Sequence, residues 1–249
     1  MAVAVAGMFD QAVENRHVRR VAGAAAAALV YWAVLRRIFN PPAGVLLQGI
    51  VVGGLTALIA FGLALVYRAN RIINFAQGDL GGVPASLGVL PMLSTTSLPY
   101  LVAFPLTIVS AVVLGAFVEF VFIRRFFKAP RLILTVVTIG VSQILAVFPV
   151  AMPRWFGLQT SQNRYPSPID LSFDVGGRTF GGNEVIALVV VPIVIGALAA
   201  FFRFTNIGIA VRASAESADR ASLLGIPVRR VQTVVWMVAA GLAFVAVFL

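Results

Sequence analysis

Three side chains in one short run, Asn74, Gln77 and Asp79, carry hydrogen-bonding and charge chemistry into an otherwise apolar stretch. The run reads Tyr67-Arg68-Ala69-Asn70-Arg71-Ile72-Ile73-Asn74-Phe75-Ala76-Gln77-Gly78-Asp79-Leu80-Gly81. An amide donates and accepts hydrogen bonds, while an ionised carboxylate only accepts. Such a set can hold a small polar or zwitterionic solute, or it can tie neighbouring helices together. In lipid each polar group must be satisfied by protein or water. A carboxylate at the bilayer centre costs at least about 2.5 kcal/mol on insertion scales, so it should face protein or water. The run therefore marks a candidate solute path, with plain interhelical hydrogen bonding as the competing role.

Helix geometry sharpens this. At helical rise Asp79 lies about 12 Å past Arg71, near the midplane of a core about 30 Å thick. Asn74 and Gln77 share a face. Asp79 is about 200° from Gln77 on a continuous helix, so the two line one cavity only if the helix is interrupted. Gly78, Gly81, Gly82 and Pro84 supply the means. Broken helices near the midplane present helix termini to anionic or zwitterionic groups. The stripe Asn74, Gly78, Gly81, Ala85 and the Gly49-Gly53 pair offer small faces for helix packing. Thr138 and Ser142, four apart in another apolar stretch, either face a cavity or bond a neighbouring helix. Glu119 lies just before a basic turn, where it pairs with Arg124 or snorkels to the interface.

The elements that must position these residues are membrane helices. Of the 249 residues, 60% are hydrophobic and 11% charged, against about 25% charged in soluble domains. The apolar runs are too long for β-barrel strands of roughly 10 residues. A crossing helix needs about 20 apolar residues. Six or seven segments qualify: Val21 to Leu35, which is the weakest, then Ala43 to Tyr67, Ile72 to Leu93, Leu98 to Ile123, Leu132 to Met152, Asn183 to Phe202 and Val231 to Leu249. The fold class is all-α, a polytopic membrane helical bundle. Residues 1–42 read as an N-terminal extension and 43–249 as the main membrane domain.

The net charge of +10 fits the positive-inside bias better than a nucleic-acid partner. With the Arg124-to-Arg131 turn cytoplasmic, Arg36, Arg37, Arg154, Arg164 and Arg178 fall outside, and the other 14 of the 19 basic residues fall inside. The loop Pro153 to Gly182 is then extracytoplasmic. Arg203 to Arg230 is cytoplasmic and helix-compatible, with Glu216 and Arg220 spaced for an i,i+4 pair and Gly225 and Pro227 ending the helix. Acidic and basic residues precede the first apolar run, unlike a simple signal peptide. The chain stops at Leu249 inside an apolar run, so it is expected to be a fragment of a longer polypeptide.

Catalysis is not expected. The chain has no Cys and one His, which removes thiol chemistry and His clusters. Its one lysine, in Phe127-Lys128-Ala129, is not part of a phosphate-binding loop. No cofactor or metal is implied.

The Asn70-to-Gly81 run, N-R-I-I-N-F-A-Q-G-D-L-G, resembles the signature of branched-chain amino acid ABC transporter permeases of the LivH type. Gly115 to Lys128 resembles the family's Glu-containing helix end and basic turn. Leu134 to Gln143, L-T-V-V-T-I-G-V-S-Q, resembles its Thr-Thr-x-Gly-x-Ser helix, and Thr205 to Val231 its cytoplasmic loop. The resemblance runs from about Gly44 to Leu249. It departs at Phe120, where the family commonly has Arg, and at Asp79, often Glu.

The resemblance implies a cell-membrane permease that pairs with a second, similar permease. Two cytoplasmic ATPase subunits and an extracytoplasmic solute-binding protein complete the importer. Ala215, Glu216, Ala218, Leu224 and Gly225 then form the segment that docks on the ATPase. Asn74, Gln77, Gly78, Asp79, Thr138 and Ser142 are the candidate substrate path. The solute is a branched-chain or other hydrophobic amino acid, or a short amide or urea, as some relatives carry. Some relatives are fused to their partner permease. The alternatives are a secondary transporter or channel working alone, with Asp79 as its coupling site, and a membrane scaffold with no solute path.

Overall fold

The computed structural model describes residues 22–23, 25–34, 37, 42–93, 99–126, 129–157 and 167–249. The charged stretch before Val21, together with Arg36, Lys128 and Arg164, lies outside the described residues. The chain divides into two compact units, one of residues 1–47 and 175–178, the other of 48–174 and 179–249. The second unit contains every candidate site residue.

Within the first unit, helix α1 (Ala25–Val34) is apolar. The expected Val21-to-Leu35 segment lies partly outside the described residues. The rest of the described fold is helical apart from one hairpin, the 71–78 break and connecting loops. Five helices are long and apolar enough to cross a membrane. They are α2 (Ala43–Asn70), α4 (Tyr100–Val118) with its continuation to Phe126, α5 (Arg131–Trp155), α6 (Gly182–Phe204) and α9 (Val228–Phe248). The segment Ile72 to Leu93, read from sequence as one continuous span, is split. Residues 71–78 are not helical, and α3 (Asp79–Leu93) has 15 residues, about 22 Å of helix. The bundle is all-α as expected, with five full spans and one broken element among the described residues.

The core is built around α9. Ala239, Ala240, Leu242, Ala243, Phe244, Val245 and Ala246 are all buried. A helix apolar on every face belongs inside, and its small residues let neighbours come close. A Cβ at Gly115 of α4 would lie 2.6 Å from the Trp236 carbonyl oxygen and 2.7 Å from the Ala240 Cβ. Gly81 of α3 abuts the Ala243 carbonyl, with the Phe244 amide nitrogen 2.8 Å from where its Cβ would stand. Glycine is required at both contacts. The Gly49-Gly53 pair has open space around it and packs against nothing described. The small-residue stripe survives in part, since Gly81 packs tightly while Asn74 and Gly78 precede the helix.

A two-stranded hairpin, β1 (Phe173–Val175) and β2 (Arg178–Phe180), interrupts the long loop before α6. Its turn residues Gly176 and Gly177 have φ of 55° and 79°, the signs a two-residue hairpin turn requires. The cytoplasmic-type loop folds into two short helices, α7 (Asn206–Glu216) and α8 (Ala218–Leu223). Thr205 caps α7 by accepting from the Gly208 amide, and Ser217 caps α8 by accepting from the Arg220 amide. Ser217 is extended, with φ −154° and ψ 110°, so the helix breaks between Glu216 and Arg220. The i,i+4 pair expected of those residues does not form, because they stand on different helices.

Candidate functional site

The unwound segment 71–78 is held by hydrogen bonds on both sides. Arg71 opens it in the left-handed region, at φ 56°. The Asn74 side-chain oxygen accepts from the Ala76 amide at 3.1 Å, and the Gln77 amide donates to the Asn74 carbonyl at 3.4 Å. Asparagine favours such local turns over helix because its side chain competes for backbone groups. On one side, the Thr138 hydroxyl of α5 accepts from the Phe75 amide at 3.2 Å and contacts the Ile73 carbonyl at the same distance. On the other, Gln77 Nε2 donates to the Ala239 carbonyl of α9 at 2.9 Å, while its Oε1 accepts from Asn74 Nδ2 at 3.2 Å. Gly62 of α2 leaves the room that the Gln77 amide occupies.

Asn74, Gln77 and Thr138 are all buried, each under 4% exposed, and their polar atoms are spent on the protein. Asp79 and Ser142 are only partly buried. The Ser142 hydroxyl donates to Asp79 Oδ2 at 2.5 Å. Asp79 also sits in the first turn of α3, where a negative charge is favoured by the helix dipole. The interruption that the glycines allowed is present, yet it does not bring Gln77 and Asp79 together. Gln77 turns to α9 and Asp79 to α5. Thr138 and Ser142 do share one face, one gripping the unwound backbone and the other the carboxylate. The 12 Å depth for Asp79 does not apply, since the residues before it do not rise as a helix.

Below the unwound segment lies a polar cavity of about 560 Å³. Arg68, Asn70 and Arg71 line it from α2 and the break, Arg131 from α5, Gln232 from α9, and Ala215, Glu216, Ala218 and Asp219 from α7 and α8. The Asn70 side-chain oxygen is buried without a hydrogen-bond partner. Arg71 Nη2 donates to the Ala215 carbonyl at 2.8 Å. Two residue sets far apart in sequence, the polar run and the loop helices, thus share one cavity. Leu224 and Gly225 lie outside it, at the turn after α8. Leu223 and Leu224 are 87% and 80% exposed, and Gly225 turns the chain at φ 81°.

Glu119 pairs with Arg124, one of the two outcomes anticipated. Arg124 Nη2 lies 2.8 Å from Glu119 Oε2 and Nε 3.2 Å from Oε1. The Thr233 hydroxyl of α9 donates to Glu119 Oε2 at 2.9 Å and accepts from Arg124 at 2.8 Å. On a regular α-helix residues five apart point about 140° away from each other. Here Glu119–Ile123 is a π-helical turn, and the Arg124 amide reaches the Glu119 carbonyl. The wider turn brings the guanidinium over the carboxylate. Sequence reasoning missed Thr233 and the role of Ala239, whose backbone carbonyl is the group used. It also missed the hairpin, signalled by Gly176-Gly177.

The family described as branched-chain amino acid transport system / permease component matches residues 45–249. The high-affinity branched-chain amino acid transport system permease protein BraD of Pseudomonas aeruginosa is 29% identical over 216 residues, covering 82% of this chain and 69% of that protein. The corresponding LivH protein of Escherichia coli K12 is 30% identical over 227 residues, 85% of this chain and 68% of that one. A probable LivH permease of Methanocaldococcus jannaschii is 28% identical over 209 residues, 81% of this chain and 64% of its own length. No solved structure gives a significant match.

Proposed function

The chain belongs to the branched-chain amino acid transport permease family and is a multi-pass cell-membrane protein, and from that premise we propose that it is a transmembrane subunit of an ABC importer. It moves branched-chain or other hydrophobic amino acids, or similar small solutes, inward and performs no catalysis itself. ATP hydrolysis is supplied by two separate cytoplasmic subunits. A second, homologous permease and an extracytoplasmic solute-binding protein complete the assembly. Residues 43–249 form the permease body and 1–42 an N-terminal extension.

One observation carries the reading: the cavity shared by Asn70, Arg71, Ala215, Glu216 and Ala218. A coupling loop must transmit movement of an ATPase to the solute path. Here the loop helices touch the unwound segment through the Arg71–Ala215 hydrogen bond. Leu223 and Leu224 project beyond them. On the side where Lys and Arg gather, exposed leucines meet no lipid, and an apolar partner surface is what they suit. Asp79 and Ser142, the partly exposed members of the polar set, are the pair that contacts solute. Asn74, Gln77, Gly78 and Thr138 shape the path by fixing the break.

The test is reconstitution with and without the ATPase subunits. Uptake should require ATP and those subunits, and uptake that persists without them would overturn the proposal. Glu216→Ala should lower transport-coupled ATPase activity while the permease stays folded, because Glu216 is exposed and has no ion pair among the described residues. Normal coupling in that variant would remove α7 from the docking surface. A proline at Gly225 is a poorer probe, since φ 81° is closed to it.

A further inference from the structure

A second cavity shares only Arg68 and Ala215 with the polar one. It is a groove of about 300 Å³ between α2, α6 and α7. Phe61 and Leu65 form one wall, and Ile195, Leu198, Ala199 and Phe202 the other. Both walls run at helical spacing toward the basic ends of their helices. At that end stand Arg68 of α2 and Arg212 of α7. Both side chains are exposed, and the ion pair among the described residues is elsewhere, at Glu119–Arg124. Helix α7 closes the groove, with Gly208, Val211 and Ser214 buried and Arg212 exposed at its edge.

We propose that this groove is a binding site for one anionic phospholipid of the adjoining leaflet. One acyl chain lies between α2 and α6, and the phosphate is held by Arg68 and Arg212. The argument is charge complementarity at fixed depth. The apolar walls occupy the last three turns of membrane-spanning helices, so an acyl chain meets them without leaving the bilayer. Two unpaired guanidiniums sit where a headgroup ends. Guanidinium matches phosphate with paired donors, and basic pockets between helices on the cytoplasmic side suit anionic headgroups. A helix from a protein partner would need carboxylates at the same place. Lipid retention is read without solute or ATP, so the site tests separately from transport. It has a consequence for coupling, because Arg68 and Ala215 line both this groove and the polar cavity. A lipid seated here braces α7 against α2.

Native mass spectrometry of the full chain, in micelles holding equal phosphatidylglycerol and phosphatidylcholine, tests this. Phosphatidylglycerol should be retained preferentially. Arg68→Ala and Arg212→Ala should each weaken retention about fivefold, and together about thirtyfold. Ala199→Trp fills the groove and leaves both charges in place, and should abolish preferential retention. Arg220→Ala, on α8 and outside the groove, should change nothing. Wild-type retention in Ala199→Trp, or an equal loss in Arg220→Ala, would overturn the site and leave only general surface charge. The chain has no native Cys, so Ala199→Cys gives a single label. Phosphatidylglycerol should slow its modification by a lipid-soluble maleimide. Protection by a co-expressed permease partner regardless of lipid would mean that protein covers the groove, and would also overturn the proposal.

Discussion

The Arg71 guanidinium donates to the Ala215 backbone carbonyl at 2.8 Å, joining the start of the unwound segment to the end of α7. Arg71 itself is held at φ 56°, a conformation that costs a non-glycine residue of order 1–3 kcal/mol. Two variants separate strain from contact. Arg71→Ala keeps the strain and loses the contact, whereas Arg71→Gly loses both. Glycine should therefore be the more stable by about 1 kcal/mol in thermal unfolding. If the contact transmits coupling, both should lower solute-stimulated ATPase activity of the assembled complex severalfold. Normal stimulation in both would leave Arg71 with only a local role.

Gln77 is placed to fail in a diagnostic way. Its Nε2 donates to the Ala239 carbonyl and its Oε1 accepts from Asn74. Gln77→Glu keeps the shape and the second bond but sets an acceptor against the Ala239 carbonyl. An unmade bond at a buried site costs about 1–3 kcal/mol, more with a charge. The melting temperature in detergent and the uptake rate should fall together. Loss of uptake at unchanged stability would instead place Gln77 in contact with solute.

Asp79 and Ser142 call for the opposite outcome. Asp79→Asn removes the charge and retains a group that accepts from the Ser142 hydroxyl. The pair is partly exposed, so stability should stay within about 0.5 kcal/mol while uptake of a zwitterionic solute falls at least tenfold. Uptake in the wild type should be indifferent to ionophores. A wild-type flux that collapses with the ion gradient, and is lost in Asp79→Asn, would favour an ion-coupled transporter.

Much of this site could be read from the chain, for reasons tied to lipid. Polar residues in an apolar run have few allowed positions, so Asn74, Gln77 and Asp79 announced themselves, and the glycines around them announced the break. The directions of those side chains were not legible. A helix wheel assigns angles only where the backbone is helical, and residues 71–78 are not. Gln77 reaches α9 through a backbone carbonyl, and a carbonyl at Ala239 has no sequence signature. The split between α7 and α8 depends on Ser217 taking an extended conformation, which its small polar side chain permits and does not demand. α3 fell short of the span drawn for it, because apolar composition marks what lipid tolerates and hydrogen bonding decides where helix starts.

The Glu119–Arg124–Thr233 group predicts a stability effect without a solute effect. Glu119 is 2% exposed, while Arg124 is 32% exposed. Glu119→Gln leaves the guanidinium over a neutral amide inside the bundle. Breaking one side of such a pair should cost about 2 kcal/mol, below the figure for fully buried pairs because Arg124 retains some solvent. Thr233→Val should cost about 1 kcal/mol, as it removes a donor to the same carboxylate oxygen. The two should be non-additive in a double-mutant cycle, since they share Glu119 Oε2. Additive losses would mean that Thr233 stabilises the bundle without acting through Glu119. Solute affinity, measured at a temperature where all variants are folded, should not move.

Leu223 and Leu224 offer the sharpest test of partner docking, because the folded permease has no use for them. They are 87% and 80% exposed at the tip of the loop, beyond the Ser217 cap and before the turn at Gly225. Polar substitution there should leave permease stability within about 0.5 kcal/mol or raise it slightly. If they seat in an ATPase surface, each buried leucine contributes roughly 1.5–3 kcal/mol of apolar transfer. Leu223→Ser and Leu224→Ser should then each weaken association with the ATPase by at least about tenfold. Co-purification and binding measured at controlled salt would read this directly. The loss should be insensitive to ionic strength, because it is apolar, whereas a loss caused by Glu216→Ala should shrink as salt rises. Unchanged association in the double leucine variant would move the docking surface off this loop tip and leave the Arg71–Ala215 contact without a lever to transmit.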